Sequence, residues 1–212
     1  MLPFLTAALA AAFAAVVLAK YVRSRRLAML AWALGLVMFA VAAFAGGLAR
    51  AGTPTPGEYR TFYLFGAILN VAWLGLGTAL LLLVSRTWRQ AAIALVLLLS
   101  AVSLYAVFST RVDLTAAMAT GRGFPDGSLP RILAGVGSGV GSLVLIGGAL
   151  WSAWIFFSQR HSGRRALSNV VIAVGVLIVA AGGTATLTGA NNILELTNLV
   201  GIAVMFAGFL LA

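Results

Sequence analysis

The chain has 212 residues, 62% of them hydrophobic and only 8% charged, with a formal net charge of +10. A soluble domain is nearer half apolar and a quarter charged, so a mean hydropathy of +1.09 excludes an ordinary soluble fold and predicts an all-α membrane protein. The charge does not indicate nucleic acid, because the basic residues sit in short turns between apolar runs, where they set orientation and meet anionic membrane lipids.

The first apolar run, about Leu2–Ala19, has no basic residue before it and Lys20, Arg23, Arg25 and Arg26 after it. A signal peptide has the reverse polarity, so this run is read as a retained helix. The second run, about Leu27–Ala49, ends in a loop punctuated by Pro54 and Pro56. The third spans Thr61–Val84 and the fourth Ala91–Thr110, with Arg86 and Arg89 between them. A longer connection, Thr110–Arg131, carries Gly121, Gly123, Pro125 and Gly127. Within it Asp113 is placed to cap a helix over Leu114–Thr120 and Gly121 to end it, which predicts a short interfacial helix, a candidate lid. The fifth run is Ile132–Phe157, the sixth Ala166–Thr188, and the seventh Ile193–Ala212.

Each run is about 18 to 26 residues long, enough to cross a hydrocarbon core of about 30 Å as a helix. The expected fold is a single transmembrane domain over residues 1–212, a seven-helix bundle. The turns after runs one, three and five hold nine basic residues and no acid. The opposite side holds Arg50, Arg60, Arg111, Arg122 and Arg131, diluted by Glu58, Asp113 and Asp126. The positive-inside rule therefore places the N-terminus outside and the C-terminus in the cytoplasm. Richness in Ala, Gly and Arg with a single lysine points to a GC-rich bacterial genome, hence a bacterial plasma membrane.

Run five carries Gly135, Gly137, Gly139 and Gly141 with Ser138 and Ser142. This small-residue pattern lets another helix approach closely, either within the bundle or in a homodimer or larger membrane complex. Runs two and six both open with Arg-Arg, carry a glycine in about the third turn (Gly35, Gly175) and a Gly-Gly farther on. Runs three and seven each carry an asparagine, Asn70 and Asn198. Runs one to three and five to seven then read as parallel three-helix repeats around run four, a habit of transporters.

Glu195 is the only acid inside an apolar run. An ionisable group within a span is a functional-site hypothesis by default. Asn192 followed three residues later by Glu195 also fits a capping box. The short turn between runs six and seven brings Thr184, Thr186 and Thr188 beside Glu195 and Asn198, and Arg60, Arg111 and Arg131 open or close neighbouring spans on that side. These groups are expected to line an outward-facing cavity for a small or lipidic ligand. An Arg–Glu195 ion pair is the structural alternative. On run three, Tyr63, Gly66, Asn70, Trp73 and Gly77 are candidates for a second polar face, with Asn70 near mid-membrane.

No span holds a histidine, and the chain has no cysteine, so no cofactor, metal site or catalytic set is expected, nor an enzyme. Rhodopsins carry a retinal-linked lysine in the seventh helix, whereas the lysine here is Lys20, at the end of the first. Sugar carriers built from parallel three-helix repeats use prolines within their spans, and these runs lack them. Two fragments do resemble known proteins: Tyr63-Leu64-Phe65-Gly66-Ala67 leading to Gly75-Leu76-Gly77, and Asn198-Leu199-Val200-Gly201 leading to Met205-Phe206-Ala207-Gly208-Phe209. They are similar to small, uncharacterised bacterial seven-helix membrane proteins and, more loosely, to the seven-helix sensor regions of bacterial receptor kinases. The resemblance lies in the pattern of spans and implies no site residue. The expected function is thus a non-enzymatic ligand-binding membrane protein, a sensor-like module or an accessory subunit, with a small-solute carrier or channel as the alternative.

Overall fold

The structure, a computed structural model, describes residues 1–158, 163–187 and 193–211, and these are helical throughout apart from turns. In chain order the helices are α1 (Leu2–Ser24), α2 (Leu27–Ala51), α3 (Pro56–Leu82), α4 (Arg86–Ser109), α5 (Leu114–Thr120), α6 (Leu129–Ser158), α7 (Gly163–Leu187) and α8 (Leu194–Leu211). Among the described residues α1, α2, α3, α4, α6 and α8 are long and apolar enough to cross a membrane. The chain is thus built as a multi-pass membrane protein. The described apolar stretch of α7, Leu167–Gly183, is shorter.

Local chemistry sets the helix ends. α1 begins with Pro3 in its first turn, where a missing N–H is harmless, and ends at Arg25, in the left-handed region at φ 54°, whose N–H reaches Tyr21 O at 2.7 Å. α3 begins at Pro56, earlier than the expected Thr61. Thr55 and Glu58 close a capping box there: Glu58 N–H donates to Thr55 Oγ1 at 3.2 Å and Thr55 N–H to Glu58 Oε2 at 2.9 Å. The expected short helix forms as α5, with Ala116 N–H donating to Asp113 Oδ1 at 3.0 Å and Gly121 ending it at φ 74°. The expected cap residue Asn192 lies outside the described residues.

The sequence gives no sign of a π-helical segment, yet Tyr63–Leu69 forms one inside α3. Its wider turn puts the helix faces out of step with a regular α-helix. Of the candidates expected on one face, Gly66 meets Ala42, Asn70 O lies at Gly35 and Gly77 meets Trp32, all on α2, while Trp73 Nε1 reaches Ser100 on α4.

Six helices close a ring. α1 packs on α2, α2 on α3, α3 on α6, α6 on α7, α7 on α8, and α8 returns to α1. α4 lies outside it, against α3 and α6, and presents large apolar side chains such as Leu95, Leu98 and Tyr105 outward. The adjacency has two-fold symmetry: exchanging α1–α2–α3 with α6–α7–α8 maps every ring contact onto another. One detail repeats as well. A Cβ on Gly35 would lie 2.9 Å from Asn70 O, and one on Gly175 would lie 2.8 Å from Gly201 O. In this contact Gly201 of α8 stands where Asn70 stands in α3.

The ring has no open centre. Phe13, Leu36, Leu74, Leu145, Val176 and Met205, one from each ring helix, belong to one buried cluster, with Phe13 stacked on Phe206 at 4.8 Å. In lipid such contacts hold through close packing rather than water exclusion. Glycines set the closest approaches. Gly137 lies on Ile68 O, Gly148 on Thr78, and a Cβ on Gly141 would sit 2.6 Å from Val71 O. Ser138 Oγ donates across the same seam to Ala67 O at 2.6 Å. This face of the glycine-rich helix therefore packs within the bundle, whereas Gly135 and Gly139 meet nothing within 4 Å.

Candidate functional site

Three inward stripes converge at one end of the ring. On α2 the residues Leu36, Phe39, Ala43, Gly46 and Arg50 follow one another at helical spacing. The first two belong to or border the apolar cluster, and the last three line a crevice. On α8 the stripe runs Glu195, Asn198, Ile202, Met205, Phe209, again polar at this end and buried beyond it. On α1 it runs Pro3, Thr6, Ala10, Phe13, Val17. The crevice is completed by Phe62 of α3 and Leu194 of α8, and is narrow and open at its mouth.

Arg50 Nε and Glu195 Oε1 meet across it at 2.8 Å. The side chains are 44% and 23% exposed, so the pair is neither buried nor freely solvated. Arg50 is steadied further by a long contact from Nη1 to Gly46 O at 3.5 Å. Gly46 leaves room for Phe62, whose Cδ2 would lie 3.1 Å from a Cβ there. Thr6 Oγ1 donates to Leu2 O at 3.0 Å, which leaves its lone pairs free to accept.

The chain's four acids all have partners. Glu58 and Asp113 cap helices, and Asp126 pairs with Arg131 at the start of α6. Glu195 is the one whose partner comes from a helix remote in sequence, and the one that lines the crevice.

Of the residues expected from sequence, Glu195 and Asn198 come together here. Thr186 falls in the last turn of α7, and its side-chain contacts lie outside what the structure describes, as does Thr188. The two helices do approach closely at that end, since Gly182 sits on Thr197. Arg60, Arg111 and Arg131 are not at the crevice. Arg60 Nη2 donates to Thr110 O at 3.0 Å and its guanidinium lies 5.9 Å from the Phe108 ring. Arg111 is exposed in the connection before α5. The arginine that meets Glu195 is Arg50, on the same face of α2 as Ala43 and Gly46.

Asn70 and Trp73 lie elsewhere. Asn70, 2% exposed, closes the π segment, and its Oδ1 accepts from Val71 N–H at 2.6 Å. Trp73 Nε1 donates to Ser100 Oγ at 3.2 Å and so ties α4 to the ring. These contacts are internal and structural.

A second polar cluster organises the α4–α6 connection. Tyr59 Oη donates to Gly121 O at 3.1 Å and accepts from Gly123 N–H at 2.8 Å, while Asp113 N–H donates to Gly123 O at 2.9 Å. Phe124 packs on Tyr59 and Tyr63. The connection is thereby folded onto the start of α3, and none of its described residues lines the crevice.

At the opposite end of the ring Lys20 Nζ lies 4.2 Å from the centre of the Phe209 ring, and Arg164 Nε donates to Leu211 O at 2.9 Å, closing the end of α8. No family model, curated protein or solved structure matches this chain.

Proposed function

We propose that the chain is a seven-span protein of the bacterial plasma membrane, N-terminus outside and C-terminus cytoplasmic, that binds a small or lipidic ligand in the crevice at Arg50 and Glu195. It acts without catalysis, as a sensor-like module or an accessory subunit of a membrane complex. The orientation rests on the basic turns, and α7 is taken as the remaining span. The observation that carries the binding role is the half-exposed Arg50–Glu195 pair at the open end of a ring whose centre is packed shut.

The architecture supplies a route from site to far end. Arg50 belongs to the α1–α2 pair, held by Gly47 against Phe4. Glu195 belongs to the α7–α8 pair, held by Gly175 against Gly201 and by Ser168 Oγ donating to Gly208 O at 2.7 Å. A ligand that takes Arg50 from Glu195 changes the relation of two rigid pairs. Helix α8 carries that change from Glu195 to the Lys20–Phe209 contact, 14 residues on and about 21 Å away at 1.5 Å per residue.

Purified protein melted in detergent with decanoate, decylamine, L-leucine and phosphatidylethanolamine tests this. Stabilisation by at least one of them, lost in Arg50→Ala, supports the site. No stabilisation by any, or stabilisation by decanoate, L-leucine or phosphatidylethanolamine that survives Arg50→Ala, ends the reading. The two-fold arrangement of the ring favours one alternative, a small-solute carrier with parallel repeats. Solute flux in liposomes carrying the parent, absent from empty liposomes, would favour that alternative.

A further inference from the structure

We infer that the crevice takes a zwitterion, a molecule that carries an anionic carboxylate or phosphate and an ammonium together, and that it inserts between Arg50 and Glu195. The inference rests on the ligand-binding reading above and narrows its chemistry. Its ground is charge balance. Arg50 and Glu195 are opposite charges joined at 2.8 Å in a partly desolvated place, and their lining neighbours Pro3, Ala43, Phe62 and Leu194 are apolar. A purely anionic ligand that captures Arg50 leaves Glu195 without a partner, and a purely cationic one strands Arg50. Either stranded charge forfeits the pair's modest contribution and keeps part of its desolvation cost, which disfavours a ligand of single charge. A zwitterion supplies both counter-charges at once.

The groups suit this task. A guanidinium offers five donors in a planar fork that matches carboxylate and phosphate oxygens. Here Nε is engaged by Glu195 and Nη1 reaches Gly46 O only at 3.5 Å, so the fork can turn outward. The freed Glu195 carboxylate accepts from an ammonium. Asn198, one turn farther along α8, provides an amide that both donates and accepts, and Thr6 Oγ1 provides an acceptor.

The ring also has the means to open. The two halves meet at two seams. At the α3–α6 seam backbones touch through Gly75, Gly137 and Gly141. At the α1–α8 seam the contacts are side chains, with the crevice at one end and Phe13–Phe206 stacking and Lys20–Phe209 beyond. Separation of Arg50 from Glu195 opens the second seam, with the glycine-packed first seam as the hinge.

Calorimetric titration with matched probes tests the inference. L-leucine carries both charges, 4-methylpentanoate lacks the ammonium and 3-methylbutylamine lacks the carboxylate. A second arm compares short-chain phosphatidylethanolamine with phosphatidylglycerol in the same micelles. At least one zwitterion should bind the parent about tenfold tighter or more than its single-charge analogues. Binding of L-leucine alone identifies a soluble ligand, and of phosphatidylethanolamine alone a lipid. Glu195→Gln should abolish the preference and leave the anions bound at least as well as the zwitterion. The exchanged pair, Arg50→Glu with Glu195→Arg, should restore the preference if either single variant folds poorly. An anion that binds the parent as tightly as the matching zwitterion overturns the inference but keeps the crevice as an anion site. Failure of both zwitterions to bind the folded parent also overturns it, while the detergent melts still decide whether the crevice is a site at all.

Discussion

Arg50 and Glu195 join the end of the second helix to the start of the last, 145 positions apart in the chain and 2.8 Å apart in space. Their contact spans the open end of the six-helix ring and is the one ion pair between remote helices among the described residues. With exposures of 44% and 23% it should contribute modestly to stability, about 1 kcal/mol, as partly solvated pairs do. A double-mutant cycle of Arg50→Gln and Glu195→Gln, read from melts in detergent, should return a coupling of that size. A coupling near zero would show that the two side chains do not interact in the folded protein.

The glycines of α6 divide into two kinds, and substitution should separate them. Gly141→Ala places a methyl 2.6 Å from Val71 O and should destabilise by about 1–3 kcal/mol, the usual penalty of overpacking. Gly139→Ala meets nothing and should be neutral or stabilising by up to about 1 kcal/mol, through helix propensity. Equal effects on the melting temperature would mean that the α3–α6 seam is placed wrongly.

Tyr59 holds the α4–α6 connection through its hydroxyl. Tyr59→Phe removes a donor and an acceptor and leaves the buried Gly123 N–H unpaired, a loss of about 1–3 kcal/mol. Hydrogen exchange should quicken at Gly123 and through α5 while α1 and α8 keep their protection. Unchanged exchange in α5 would show that the tyrosine does not anchor it.

The chain contains no cysteine, so single thiols report topology cleanly. A cysteine at Thr53 should be labelled from outside in intact cells, and one at Ser85 only after the cytoplasmic side is opened. The reverse pattern would invert the molecule and place the crevice in the cytoplasm.

Much of this fold is legible in the sequence because it depends on local order. Apolar runs mark the helices, Asp113 and Gly121 mark α5, and the T-x-x-E signature Thr55–Glu58 marks the true start of α3. The π segment at Tyr63–Leu69 is not legible, because no residue type in it demands the wider turn; it accompanies close packing against α2 and α6. The site is half legible. Glu195 stands out as an acid in an apolar run, and Asn198 follows it by one turn. Arg50 does not stand out from the other arginines on its side until α8 is known to close the ring on α1. Helical period tells which residues share a face, but not which remote helix that face meets.

The central claim, that the crevice at Arg50 and Glu195 is a ligand site, is tested most directly at Asn198. A cysteine there is the sole thiol of the chain and lines the crevice beside Glu195. Its alkylation by a water-soluble maleimide should slow several-fold in saturating L-leucine or short-chain phosphatidylethanolamine, and the protection should vanish when Glu195→Gln is added. An alkylation rate unchanged by either probe, or slowed equally with and without the Glu195 carboxylate, would contradict the account.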